Sequence, residues 1–346
     1  MTFLGEEIWK EGVIKAHSKL RKHTQVTWST IRRLNIEPTT ACNASCVMCD
    51  HQRYFGTYGL REVCYTDMLH ILFQMYKFGK QFGGIKQVNF GVYCEPLLYH
   101  DIVHLVKFSK GLFPHVRIST NLSLLTGKVS QQLLQAGLTD ICFSLDECEK
   151  SRYEAIRRGL CWESVLGNAT EFVRRRNSGG FGCNVVVSPV VCKENRGRIK
   201  EISEFWRGAL GVPVVPSPEV PIGRLVDRVQ PWFDIVGKPS CVDMFTVKPN
   251  GDVVPCCIDI YGDAILGNIH KQTPQEIYDG ELLTQHRYRL AHLVNLPQCC
   301  RNCVYLPQFQ PKDVSVFDRI VGSGMLLSRR VGQIRGRTRK DECLVQ

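Results

Sequence analysis

The stretch TACNASCVMCD, residues 40–50, sets three cysteines, Cys42, Cys46 and Cys49, on one short segment. Thiolates grouped this way are ligands for zinc or for an iron–sulfur cluster. A closed structural zinc site takes four ligands, and the nearest fourth candidate, His51, stands too close to Cys49 for a usual zinc knuckle. A disulfide would leave one cysteine over. The total of 17 cysteines is odd, which suits metal or redox chemistry in a reducing compartment better than a disulfide framework. A four-iron cluster on three thiolates leaves one iron uncovered, and an open position is what a catalytic metal needs.

A second set begins at Cys241 with the spacing C-x9-G-x4-C, through Gly251 to Cys256, and Cys257 follows directly. PQCCRNC then supplies Cys299 and the C-x2-C pair Cys300 and Cys303. Two pairs of thiolates would close a tetrahedral site, and spacing alone leaves zinc and iron–sulfur equally placed. Within this segment Asn250-Gly251 lies between two alternating runs, a hairpin signal.

Short apolar runs alternate with helical stretches ahead of that segment. The strand candidates are RLNIEP (33–38), IKQVNFG (85–91), VRIST (116–120), DICFSL (140–145), NVVVSPV (184–190) and VPVVPS (212–217). Helices are expected near 65–82, 99–111, 128–136, 163–176 and 194–208. This alternation predicts βαβ units on a parallel sheet, an α/β fold built as a partial (β/α)6 TIM-type barrel with a small C-terminal α+β cysteine-rich domain. The cysteine triplet falls directly after the first strand, on the loop where such a barrel places its active site. Ile8, Trp9, Val13, Ile14 and Leu20 give residues 1–32 the pattern of an amphipathic helical lead-in. Prolines in PSPEVPIGR (216–224) end the rhythm. The expected organisation is therefore a lead-in (1–32), a barrel (33–230), an auxiliary cysteine-rich domain (231–310) and a basic tail (311–346).

Hydrophobic residues make up 44% and charged residues 22%, an ordinary globular composition. The net charge is +11, much of it in SRRVGQIRGRTRK (328–340), which has six basic residues and no acid. Such a run reads as a solvated tail. A phosphate-bearing substrate is another use for it, whereas nucleic acid is disfavoured because no interleaved aromatic platform accompanies the run. No apolar run reaches the roughly 18 residues needed to span a bilayer. The first residues are acidic where a secretory signal would be basic, so a cytoplasmic location is expected.

The triplet C-x3-C-x2-C after the first strand resembles the signature of the radical S-adenosylmethionine (radical SAM) superfamily. Met48 takes the bulky position before the last cysteine. VNFGVYCEPLLYHDI (88–102) is similar to that family's glycine-rich second-strand segment, STNLSLLT (119–126) to its third, CFSLDECEKSRYEAIRRG (142–159) to its fourth and SPVVCKEN (188–195) to its fifth. The resemblance spans roughly residues 33–225. It implies that Cys42, Cys46 and Cys49 hold a [4Fe–4S] cluster whose open iron chelates S-adenosyl-L-methionine, which reductive cleavage converts to a 5′-deoxyadenosyl radical. It further implies that Glu95 and the backbone at Tyr93 and Cys94 hold the methionine amino group, that Ser119, Asn121 and Ser144 lie near the ribose, and that Arg157 or Arg158 meets the carboxylate. Tyr93 and Cys94 replace the family's usual glycines, which requires a negative φ at both.

The second cysteine set, with PCCID, LGNI and PQCCRNC, resembles the SPASM/twitch extensions that carry auxiliary [4Fe–4S] clusters. The ligands implied are Cys241, Cys256, Cys300 and Cys303, with Cys257 or Cys299 as a replacement for its neighbour. No further C-x5-C-x3-C follows Cys303, which favours the shorter twitch form with one auxiliary cluster. An external one-electron reductant of flavodoxin or ferredoxin type is implied as partner.

Two outcomes follow for a small polar metabolite of sugar, aminocyclitol or nucleoside type, with natural-product biosynthesis as the expected setting. An auxiliary cluster near the substrate suits dehydrogenation. A cysteine thiol on the opposite face suits epimerisation, and Cys257 is the expected donor, with Cys94 and Cys192 behind it. Maturation of a ribosomal peptide is the alternative, disfavoured because only 41 residues precede Cys42, too few for an added peptide-binding domain. A non-enzymatic zinc or nucleic-acid-binding module would explain the tail and the C-x2-C pairs. It would not explain a βα series with a triplet that lacks its fourth ligand.

Overall fold

A computed structural model describes residues 31–218, 241, 243–301 and 303. Most of the expected lead-in, the segment 219–240 and the basic tail lie outside the described residues. The chain divides into two units. One comprises Trp28–Leu283 and Pro297–Val304 and holds both cysteine sets. The described part of the other is Thr284–Leu296, most of it the greater part of a helix, Glu281–His292.

Five parallel strands form the heart of the first unit: β1 (Arg33–Ile36), β2 (Gln87–Phe90), β3 (His115–Thr120), β4 (Asp140–Phe143) and β5 (Asn184–Val187). Each pairs in parallel with the next. Their period-2 pattern sends Leu34, Val88, Val116, Ile118, Ile141 and Val185 into the apolar core. The other face carries a ladder of polar side chains. Asn89 Nδ2 donates to Asn35 Oδ1 at 3.2 Å, and Ser119 Oγ donates to Asn89 Oδ1 at 3.4 Å. The sheet is therefore apolar towards its helices and hydrogen-bonded within.

Helices cover the apolar face. α1 (His51–Tyr58) follows the triplet, and α2 (Tyr65–Lys80) buries Met68, Ile71, Leu72, Met75 and Phe78 at helical spacing. α3 (Ile102–Lys110), α4 (Gly127–Gln135), α5 (Lys150–Ile156), α6 (Trp162–Ser178) and α7 (Ile199–Leu210) succeed the later strands. α1 has no place among the expected helices. Its sequence, HQRYFGTY, is short and contains Gly56, a poor helix former.

The sixth expected strand, 212–217, is only partly formed. Val214 makes an isolated parallel bridge to Val187, and two short strands, β6 (Val190–Val191) and β7 (Ser217–Pro218), pair beyond it. Pro213 and Pro216 lack the N–H groups that a continuous ladder needs. The contact survives through Val187 N donating to Pro213 O at 3.0 Å and Val215 N donating to Val187 O at 2.9 Å.

The cysteine-rich segment joins the same sheet. β8 (Met244–Val247) lies parallel to β1, with Ile36 opposite Val247. β9 (Asp252–Val254) and β10 (Gly267–Asn268) continue antiparallel. The order β10-β9-β8-β1-β2-β3-β4-β5 makes one mixed eight-stranded sheet, which hydrogen bonds among the described residues do not close into a barrel. The turn at Asn250-Gly251 forms as expected, with Gly251 at φ +84°.

Candidate active site at the carboxyl ends of the strands

The triplet loop is fixed by backbone bonds to the end of α5. Ser45 N donates to Arg158 O at 2.9 Å and Val47 N to Ile156 O at 3.0 Å. Gly159, at φ +88°, lets that segment pass close to the Asn43 carbonyl, 3.2 Å from where a Cβ would stand. This docking turns Arg157 inwards, so that its Nη1 donates towards Cys46 Sγ at 3.7 Å, while Arg158 stays exposed. Arg157 also pairs through Nε with the fully buried Asp146, which accepts from Val190 N at 2.7 Å.

Cys42, Cys46 and Cys49 are each half-buried and within electrostatic reach of one another. Burial pushes the Cys42 thiol up to about 11 and the Cys49 thiol up to about 12, partly offset by Arg157. These are neutral thiols that a metal would deprotonate on binding. Three soft donors beside a fixed guanidinium suit an anionic iron–sulfur cluster. Met48 is half-buried on the same loop.

Glu95 is 2% exposed and closes the loop after β2. Its carboxylate accepts from Thr120 Oγ1 at 2.7 Å, Asn121 N at 2.7 Å and Leu97 N at 3.2 Å. Burial still dominates and raises it to about 7. Its own N–H donates to Ala41 O at 2.9 Å, next to Cys42. The Asn121 side chain donates to Asn43 Oδ1 at 2.9 Å and accepts from Ser123 N and Oγ. Ser119 faces the polar ladder, and Ser144 is half-buried where β4 ends. Glu95, Asn121 and the triplet thus sit together, whereas Ser119 is engaged with Asn89.

Tyr93 and Cys94 keep negative φ, and the left-handed residue of their loop is Gly91, at φ +83°. A Cβ on Gly91 would meet Pro96 Cδ at 2.6 Å and Ser119 O at 3.0 Å. The Tyr93 N–H is taken by Glu37, which is fully buried and also accepts from Val92 N at 2.9 Å.

The second cysteine set gathers at the far end of β8 and β9. Cys300 lies within electrostatic reach of Cys256, Cys241 and Cys303. Cys299 Sγ is 3.8 Å from Cys300 Sγ but turns towards Asp259 and Asp263. Burial pushes the thiols of Cys241, Cys256 and Cys257 up. These donors also fit a cluster, and they adjoin the first site: Tyr93 is within electrostatic reach of both Cys256 and Cys257. The other thiols considered as hydrogen donors are Cys94, which hydrogen-bonds to Glu37, and Cys192, 2% exposed.

Residues that motif reading did not single out complete the site. Glu37, Asp146 and Lys248 are buried charges at strand ends. A cavity of about 350 Å³ is lined by Arg117, Asp140, Asn184 and Pro213, at the amino-terminal ends of β4 and β5. Among the described residues, no helix is long and apolar enough to cross a membrane.

Comparison with known proteins agrees with this geometry. Residues 36–205 match the family model of the radical SAM superfamily, and residues 241–304 match that of SPASM, an iron–sulfur cluster-binding domain. The tungsten-containing aldehyde ferredoxin oxidoreductase cofactor-modifying protein of Pyrococcus furiosus is 26% identical over 304 residues, 75% of this chain and 83% of the relative. The GTP 3′,8-cyclase of Listeria monocytogenes is 34% identical over 137 residues, 38% of this chain and 39% of that protein. Among solved structures, Streptococcus suis SuiB bound to its precursor peptide SuiA superposes with a TM-score of 0.62 at 16% identity, covering 88% of this chain and 76% of SuiB.

Proposed function

The chain belongs to the radical SAM superfamily and carries a SPASM domain, and from that premise we propose that it dehydrogenates a small polar metabolite of sugar, aminocyclitol or nucleoside type. When bound, the first cluster and S-adenosyl-L-methionine supply a 5′-deoxyadenosyl radical, and the auxiliary cluster supplies a one-electron acceptor. Cys42, Cys46 and Cys49 would hold the first cluster, and Cys241, Cys256, Cys300 and Cys303 the second.

One observation carries this reading: Tyr93, two residues from Glu95, stands within electrostatic reach of Cys256 and Cys257. A substrate at the mouth of the strands would therefore lie near both thiol sets. Dehydrogenation removes one hydrogen atom, one electron and one proton from the substrate. Arg157 would hold negative charge at the first site, and Glu95, kept partly protonated by burial, would orient a cationic or hydroxyl group.

Epimerisation is the second reading, supported by Cys257. Burial holds its thiol protonated beside Lys248, the form from which a hydrogen atom can be donated. A peptide substrate, as in the SuiB complex, is the competing substrate class.

The test is anaerobic reconstitution, then turnover with aminocyclitols, sugars, nucleosides and peptides in deuterium oxide. A product two mass units lighter from a small metabolite supports dehydrogenation. Deuterium at carbon that disappears in Cys257→Ala supports epimerisation instead, and turnover of peptides alone overturns the substrate class. Stoichiometric zinc with no brown chromophore would overturn the cluster assignments.

A further inference from the structure

Lys248 immediately follows β8, beside Glu37 at the end of β1, because β8 and β1 run in parallel register. It is 1% exposed, and its Nζ has no hydrogen-bond partner among the described residues. Two rings flank the ammonium, with the Tyr93 centroid at 4.8 Å and the Tyr54 centroid at 5.5 Å. The carboxylate that acts on it most strongly, Glu37, already accepts from Val92 N and Tyr93 N.

A buried ammonium without an acceptor is costly, and such groups persist where another charge compensates them. Other titratable groups within its reach are Asp259, Cys256 and Cys257, and the two thiols become anionic only when they bind metal. Lys248 follows β8 and Cys256 follows β9, and these two strands pair antiparallel, so the buried ammonium and the auxiliary thiols belong to one hairpin. A [4Fe–4S] cluster on four thiolates is an anion, and local charge, hydrogen bonds to sulfur and burial set its potential.

We propose that Lys248 is a positioning residue for the auxiliary cluster: a buried counter-charge that raises its reduction potential, so that it accepts an electron from a substrate radical more readily. This rests on the reading that Cys241, Cys256, Cys300 and Cys303 hold a cluster. Arg33, the other cation that acts on Cys257, is already paired with Asp243, at 2.9 Å through Nε. Lys248 has no such direct partner.

The experiment is an EPR-monitored redox titration of the reconstituted full chain, following both clusters in wild type, Lys248→Met, Lys248→Arg and Glu37→Gln. In Lys248→Met the reduced-to-oxidised ratio of the auxiliary cluster at fixed potential should fall about tenfold, which is about 59 mV for one electron. The first cluster should not move, and Lys248→Arg should stay near wild type. Glu37→Gln, which removes the opposing charge, should move the auxiliary cluster the other way. It also supplies the test if Lys248→Met loses its metal. An auxiliary midpoint unchanged by these substitutions, or equal shifts in both clusters, overturns the role of Lys248 alone. A wild-type chain that binds only about four irons, one cubane rather than two, overturns the auxiliary-cluster reading together with it.

Discussion

Arg157 stands between Cys46 and Asp146, its Nη1 3.7 Å from the cysteine sulfur and its Nε on a carboxylate with no solvent exposure. One side chain thereby ties the loop after β1 to the strand end at β4. Breaking a buried pair from one side leaves the other charge uncompensated, at a cost of about 3–5 kcal/mol. Arg157→Met should therefore destabilise the cluster-free chain by that order in urea unfolding. The double variant Arg157→Met/Asp146→Asn should recover much of the loss. Additive losses in the double-mutant cycle would show that the two residues act separately.

Replacing Cys42, Cys46 and Cys49 together by alanine should abolish 5′-deoxyadenosine formation and reduce iron from about eight per chain to about four, as for two cubane clusters losing one. Replacing Cys300 and Cys303 should remove the other half of the iron and leave 5′-deoxyadenosine formation measurable. Iron and sulfide analysis beside product chromatography reads both.

Glu95 gives a pH signature. Its folded value, about 7, lies above the ordinary glutamate value of 4.5 because burial disfavours the carboxylate. The folded chain then binds the proton more tightly than the unfolded chain. Its contribution is fully present below about pH 4.5, declines as pH rises and is lost above about pH 7. The size is about 3 kcal/mol over that window. Glu95→Gln should flatten this part of the stability profile, and equal slopes for variant and wild type in cluster-free unfolding would contradict the assignment.

Gly91→Ala tests the turn that replaces the family's glycine run. A left-handed φ and a Cβ 2.6 Å from Pro96 Cδ impose both backbone strain and a clash, together at least about 1–3 kcal/mol. The Tm should fall and the loop that carries Tyr93, Cys94 and Glu95 should lose amide-exchange protection. Tyr93→Gly and Cys94→Gly, where φ is already negative, should lack that local clash.

The thiol triplet, the first five strands and the Asn250-Gly251 hairpin were legible because spacing and period-2 patterning are local signals. Helix His51–Tyr58 was not, since it is short, contains Gly56, and its Tyr54 and Tyr58 find their apolar partners, Tyr93 and Ile260, only in the folded chain. The sixth strand was overread, because the valines of VPVVPS outweighed prolines that cannot donate to a ladder. The inward turn of Arg157 and the exposure of Arg158 follow from the docking of the triplet loop on α5, which no local pattern reveals. Lys248 reads as a polar residue before a turn, and only the parallel register of β8 on β1 reveals it as an interior charge.

That register also sets a timetable. Asn35 of β1 and Thr246 of β8 are 211 positions apart, so β1 keeps one bare edge until nearly the whole described chain has left the ribosome. At about 5–20 residues per second, synthesis of that stretch takes roughly ten to forty seconds. Throughout that interval the nascent polypeptide displays the first thiol triplet without the second ligand set. On the proposed ligand assignment, Cys42, Cys46 and Cys49 could thus take up metal during translation, whereas the second set is complete only once Cys303 has been made.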